Sequence, residues 1–81
     1  MEIELSRENK TVGLRESLKA LKDGKVIKAY VAKDVQPELI KEFMDMCEKH
    51  EILIEFVDSK TQLGEICGIE RSATVACILK K

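Results

Sequence analysis

Val26-Ile27-Lys28-Ala29-Tyr30-Val31-Ala32 is nearly continuous in apolar and β-branched residues, the composition of a strand covered on both faces. Before it, Leu14, Leu18 and Leu21 recur at helical spacing and Asp23-Gly24 turns the chain, so residues 14–22 read as a first helix stopped by Gly24. After it, Pro37 stands at a first helical turn beside Glu38, and Leu39, Ile40, Phe43, Met44 and Cys47 follow at steps of three and four. That pattern predicts a second helix over residues 37–49, its acidic face toward water. Glu51-Ile52-Leu53-Ile54-Glu55-Phe56-Val57 reads as a second strand. Ser59-Lys60-Thr61-Gln62 has the form of a capping box opening a third helix that Gly68 ends, and Thr74-Val75-Ala76-Cys77-Ile78-Leu79 is a last strand. Strands alternating with helices imply right-handed crossovers and a mainly parallel sheet with helices on both faces. The expected fold class is α/β, a three-layer α/β/α sandwich.

At 81 residues the chain is expected to form one domain spanning 1–81. A chain of this size buries only about 60 to 65% of the surface its unfolded form exposes, leaving a net stability of about 4 to 12 kcal/mol. Two Phe, one Tyr and no Trp within a 44% hydrophobic composition put the weight of the core on Leu, Ile, Val and Ala. Val26-Ile27 and Ile52-Leu53-Ile54 are far short of a bilayer span, and no signal-like apolar run follows Met1, so a soluble cytoplasmic protein is expected. Cys47, Cys67 and Cys77 are odd in number, widely spaced and set among apolar neighbours, which favours buried thiols over a disulfide framework.

The formal net charge of −1 conceals an asymmetry. Residues 1–33 carry eight Lys or Arg against five acids; residues 34–63 carry three against eight; residues 64–81 carry three against two. A basic end and an acidic belt result. The basic end matters because neutralisation of phosphates by Lys and Arg supplies most nucleic-acid affinity.

Marks of small-molecule chemistry are missing. The chain has neither a glycine-rich cradle ending in Lys-Ser/Thr nor three closely spaced glycines after a strand. His50, the single histidine, follows Cys47 by three residues and could share a metal with it. The simpler reading sends Cys47 into the core with Ile40, Phe43 and Met44 and leaves His50 in the last helical turn, where its charged form complements the dipole. Cys67, just before Gly68, is the candidate nucleophile of an enzymatic reading, but no second histidine is present to serve as its base.

Two glycine-led turns carry more information. Gly13 precedes the first helix, whose N-terminal N–H groups attract phosphate or a base edge, and Arg15, Glu16 and Lys19 occupy its first two turns. Phosphate repels a carboxylate, so Glu16 on such a surface makes sense as an acceptor for base N–H groups. The same three residues also fit the solvated face of an amphipathic helix. At the second turn Gly68 reverses the chain, and Ile69 stands at the tip with Glu70-Arg71 beside it. An apolar group next to a guanidinium suits an extruded base; Ile69 packed inward behind the helix cap is the alternative.

Gly13-Leu-Arg-Glu-Ser-Leu-Lys-Ala-Leu21, Val31-Ala-Lys-Asp-Val-Gln-Pro37 and above all Ser59-Lys-Thr-Gln-Leu-Gly-Glu-Ile-Cys-Gly-Ile-Glu70 resemble the large-subunit ribosomal protein L7Ae/L30e superfamily of kink-turn RNA-binding proteins, especially its short bacterial members. The resemblance implies a mixed, mainly parallel, four-stranded sheet between helices, with an extra strand placed near Ile3-Leu5. It also implies that the turn before the first helix and the loop before the last strand clamp a kinked internal loop of RNA. Glu16 then matches the residue that reads guanine edges of tandem sheared G·A pairs, and Lys19 a basic residue supporting it. Lys60 and Arg71 match contacts to the RNA backbone, and Ile69 and Glu70 match the loop around an extruded nucleotide, with Ile40 in its wall. Gly13 and Gly68 set the approach. Arg15 departs from the archaeal and eukaryotic Asn, since guanidinium only donates; short bacterial relatives also carry a basic residue there, which favours guanine O6 and N7 or a phosphate.

The expected protein is a non-enzymatic monomer whose partner is structured RNA, a kink-turn of ribosomal or regulatory RNA, with the ribosome as a further candidate partner and with no cofactor, metal or membrane. Two alternatives stand beside it. One is a small α/β enzyme with a reactive cysteine; the other is a protein-interaction module in which Glu38, Glu42, Asp45 and Glu48 meet a basic partner of the ribosome.

Overall fold

The computed structural model describes residues 9–80. Its elements are β1 (Lys10–Val12), α1 (Leu14–Lys22), β2 (Val26–Ala32), α2 (Pro37–Lys49), β3 (Leu53–Val57), α3 (Lys60–Cys67) and β4 (Val75–Leu79). All three helices fall where periodicity and capping place them. The extra strand expected near Ile3-Leu5 lies outside the described residues; the fourth strand described is β1, three residues beginning at Lys10.

The four strands form one sheet in the order β1-β4-β2-β3. β2 and β3 run parallel, but β4 is antiparallel to both β1 and β2. The sheet is thus mixed as expected, while the expectation of a mainly parallel one is corrected. The cause lies in residues 60–74. The Ala73 amide donates to the Lys60 carbonyl (3.1 Å), and Ala32, at the end of β2, donates to Thr74 (3.0 Å). The α3 segment therefore returns to the end of the sheet it left, and β4 must start there and run backward. It is an excursion, not a crossover.

Helix ends explain a second difference. After α1, Gly24 (φ 69) donates to Leu21 and Lys25 to Ala20; after α3, Gly68 (φ 79) donates to Glu65 and Ile69 to Gly64. Both are Schellman closures. α2 ends in the same pair of bonds, Glu51 to Glu48 and Ile52 to Cys47, with Glu51 at φ 57 taking the left-handed position without being glycine. Residues 51 and 52 are spent on this turn, so β3 begins at Leu53 rather than Glu51.

Successive side chains of a strand point to opposite faces. Cys77, paired with Ala29 across β4 and β2, meets Ser17 of α1 and lies near Cys47 of α2, so α1 and α2 cover that face. Tyr30, on the other face, shares a cleft with Gln62 and Ile66 of α3. This is the α/β/α sandwich. Leu21, Val31, Phe43, Leu63 and Val75 are buried between the layers together with all three cysteines. One buried polar pair sits among them, Thr11 Oγ1 and Ser17 Oγ at 2.8 Å, linking β1 to α1.

Candidate nucleic-acid interface

At one end of the sheet the chain folds back on itself several times. Gly13 closes β1 with φ 100 and ψ 161, a conformation essentially confined to glycine. Its amide donates to the Val75 carbonyl at 2.9 Å, and a Cβ built there would meet nothing within 4 Å. The glycine is required by the backbone, and the space in front of it is open. No side chain caps α1, whose first-turn donors lie next to that space.

Arg15, Glu16 and Lys19 are all exposed. Leu14 and Leu18, half-buried, form the floor of an open groove of 530 Å³ whose charged wall is Arg15, Lys19 and Lys22. Sequence reading passed over Lys22, although its spacing of three from Lys19 and seven from Arg15 places it on the same helical face.

The second turn is built by α3. Ser59 Oγ accepts the Gln62 amide (3.0 Å), the forward half of the capping box. Asp34 Oδ1 accepts the Lys60 amide (2.8 Å), fastening the start of α3 to the end of β2; Asp34 went unremarked in the sequence because its partner is 26 residues away. Gly68 gives the left-handed exit. A methyl on Gly64 would fall on the Arg71 carbonyl, with the Ser72 Cα 3.2 Å away, so the loop 69–72 lies directly on the helix. Glu70 and Arg71 are exposed, and Lys60 is partly so.

Two expected residues are placed differently. Ile69 is half-buried and packs against the core cluster, so the inward-packed alternative accounts for part of its surface. Ile40 is 7% exposed and belongs to the core, so it lines no surface pocket. The Gly13 to Val75 hydrogen bond joins the turn that carries Arg15, Glu16 and Lys19 to the strand entered from Arg71. The two turns are thereby held at the same end of the sheet.

The features behind the enzymatic alternative separate. Cys47 and Cys67 are buried, and burial pushes both thiols up, Cys47 to about 12, while the charge of Lys10 opposes this at Cys67. His50 is exposed at the end of α2 while Cys47 points into the core. Among the described residues no group of three or more His, Cys, Asp or Glu is arranged to hold a metal, and no helix is long and apolar enough to cross a membrane.

Comparison with known proteins agrees with this geometry. A protein of Caldanaerobacter subterraneus subsp. tengcongensis named as an RNA-binding protein is 36% identical over 67 residues, covering 83% of this chain and 82% of its own. One from Staphylococcus aureus, also named as an RNA-binding protein, is 33% identical over 75 residues, covering 93% and 89%. Among solved structures, a 15.5 kD RNA-binding protein of Giardia lamblia superposes with a TM-score of 0.86 at 28% identity, over 99% of this chain and 68% of that one. A Bacillus halodurans protein of unknown function superposes with a TM-score of 0.84 over 98% of this chain and 79% of that one; at 19% identity it speaks for the fold alone. The sequence pattern of one family matches residues 3–81, and the chain belongs to it: the ribosomal protein L7Ae/L30e/S12e/Gadd45 family.

Proposed function

We propose that this chain is a non-enzymatic RNA-binding protein that recognises kink-turn RNA and stabilises its bent state, acting as a cytoplasmic monomer on ribosomal or regulatory RNA. The observation that carries the reading is the hydrogen bond from Gly13 to Val75, which holds the two turns at the same end of the sheet, with a carboxylate inside a basic frame. Glu16 accepts hydrogen bonds from guanine edges of the sheared G·A pairs, while Lys19 offsets its repulsion of phosphate. Arg15 donates to guanine acceptors or a phosphate. Lys60 and Arg71 hold the backbone, and the loop of Gly68, Ile69 and Glu70 shapes the pocket for an extruded nucleotide. The bent RNA is favoured because only that conformer meets both turns at once.

Titration of a fluorescent kink-turn RNA, with donor and acceptor dyes on its two stems, tests this. Binding should bring the dyes together and weaken as salt rises. Equal affinity for a control RNA whose G·A pairs are replaced by Watson–Crick pairs would overturn the kink-turn reading; failure to bind either RNA would overturn RNA binding altogether.

A further inference from the structure

Among the described residues β3 ends the sheet, with β2 as its neighbour on one side. Open edges are commonly guarded by lysine, proline or a bulge. Leu53-Ile54-Glu55-Phe56-Val57 has no lysine or proline and pairs with β2 in unbroken register, and Leu53 and Phe56 are 70% and 51% exposed. Beside this edge a cleft of 170 Å³ opens toward α3, with Val57 and Ile66 as apolar wall and Glu55 and Asp58 as charged lining. A lysine or arginine has both halves of that environment, an aliphatic stem and a cationic head. Lys28 sits 3.0 Å from one oxygen of Glu55 and Lys33 3.5 Å from one oxygen of Asp58; carboxylates have further acceptor positions.

We propose that β3 is a docking edge for an extended segment of a partner protein rich in lysine or arginine, which adds as a fifth strand and places one basic side chain in the cleft. Main-chain hydrogen bonds supply affinity in such strand addition and side-chain pockets supply selectivity. Charge selects the occupant. The edge carries Glu55 and Asp58 within a stretch, residues 34–63, of eight acids and three bases. A second copy pairing β3 with β3 would set those acids against their own counterparts, and an RNA backbone would be repelled by them. Leu53 and Phe56 of this edge lie outside the RNA site, although the cleft's Asp58 and Gln62 flank Lys60 at the start of α3.

The probe is a nine-residue peptide alternating Lys with Val, titrated into the full-length ¹⁵N-labelled chain and followed by NMR, with a Glu-for-Lys peptide as control. Saturable shifts are expected at the amides of residues 53–58. Leu53→Ser and Phe56→Ser, both at exposed positions, should each weaken the peptide by about tenfold or more with kink-turn RNA affinity unchanged, while Glu42→Gln on the α2 face leaves the peptide affinity as it was. Absence of shifts, equal binding of the Glu peptide, shifts centred on α2 that Glu42→Gln removes, or concentration-dependent dimerisation through β3 would each overturn the proposal.

Discussion

Gly13 and Val75, 62 positions apart in sequence, are joined by a 2.9 Å hydrogen bond from the amide of the first to the carbonyl of the second. This bond fixes where α1 begins relative to where β4 begins, and so fixes the two glycine-led turns relative to each other. Gly13 makes it at φ 100 and ψ 161, with open space where a side chain would stand. Gly13→Ala therefore meets no steric obstacle and carries only backbone strain, of order 1 to 3 kcal/mol. Urea unfolding should show a lower midpoint with an unchanged slope; an unchanged midpoint would mean that the strain is relieved by local rearrangement.

Glu16 and Lys19 are exposed, lie off the core, and share one face of α1. Substituting either by Ala should change stability by less than about 0.5 kcal/mol while weakening kink-turn RNA by about 1 to 3 kcal/mol. The two should differ in salt dependence: removing Lys19 lowers the salt slope and removing Glu16 does not. RNA titrations at three salt concentrations separate them, and unchanged affinity in both variants would remove this face from the site.

Gly64 makes the opposite case to Gly13. In a helix interior Gly→Ala is worth about 1 kcal/mol of stabilisation by propensity, yet here the added methyl falls on the Arg71 carbonyl, part of the backbone rather than a flexible side chain. Overpacking of this kind costs about 1 to 3 kcal/mol and pushes the loop 69–72 off α3. Gly64→Ala should thus lower stability and RNA affinity together. A rise in the urea midpoint would show that the loop does not lie on the helix.

Why some of this was readable in the sequence and some not follows from the range of the interactions. α1, α2 and α3 are set by periodicity, Pro37, the Ser59 cap and the glycines behind them, all local. β1 is three residues, too short to show a period. The direction of β4 depends on Ala73 meeting Lys60 and Ala32 meeting Thr74, contacts that no local pattern encodes. The candidate site divides in the same way. Its residue types and glycines stand out in the chain, but the closeness of its halves, the inward packing of Ile69 and the burial of Ile40 come only from tertiary structure.

Glu51 ends α2 at φ 57, in the position that Gly24 and Gly68 fill after the other helices. A left-handed backbone costs a residue with a Cβ about 1 to 2 kcal/mol, and glycine gives back about 0.5 to 1 kcal/mol in chain entropy. Glu51→Gly should therefore stabilise the protein by roughly 0.5 to 1 kcal/mol, visible as a higher thermal midpoint. A lower midpoint would show that the Glu51 side chain contributes more than its backbone costs.

The three thiols make stability depend on alkaline pH. Cys47 and Cys77 are 0% exposed and Cys67 2%. Burial raises all three, Cys47 from 9.0 to about 12; Lys10 partly opposes this at Cys67, and hydrogen bonds from Ser17 and Thr11 oppose it at Cys77. Above pH 9 an unfolded thiol gives up a proton that folded Cys47 keeps, so the unfolded state binds fewer protons and stability falls as pH rises. The contribution is complete below pH 9 and is lost progressively toward pH 12. Thermal midpoints measured from pH 7 to 11 should decline over this window, and Cys47→Ala, less stable at pH 7 because of the cavity it leaves, should decline less steeply than the parent. Equal slopes would mean that Cys47 ionises alike in the folded and unfolded chains. As an independent check, a thiol reagent at pH 8 should label the native protein only as fast as it opens, and label it at once in denaturant.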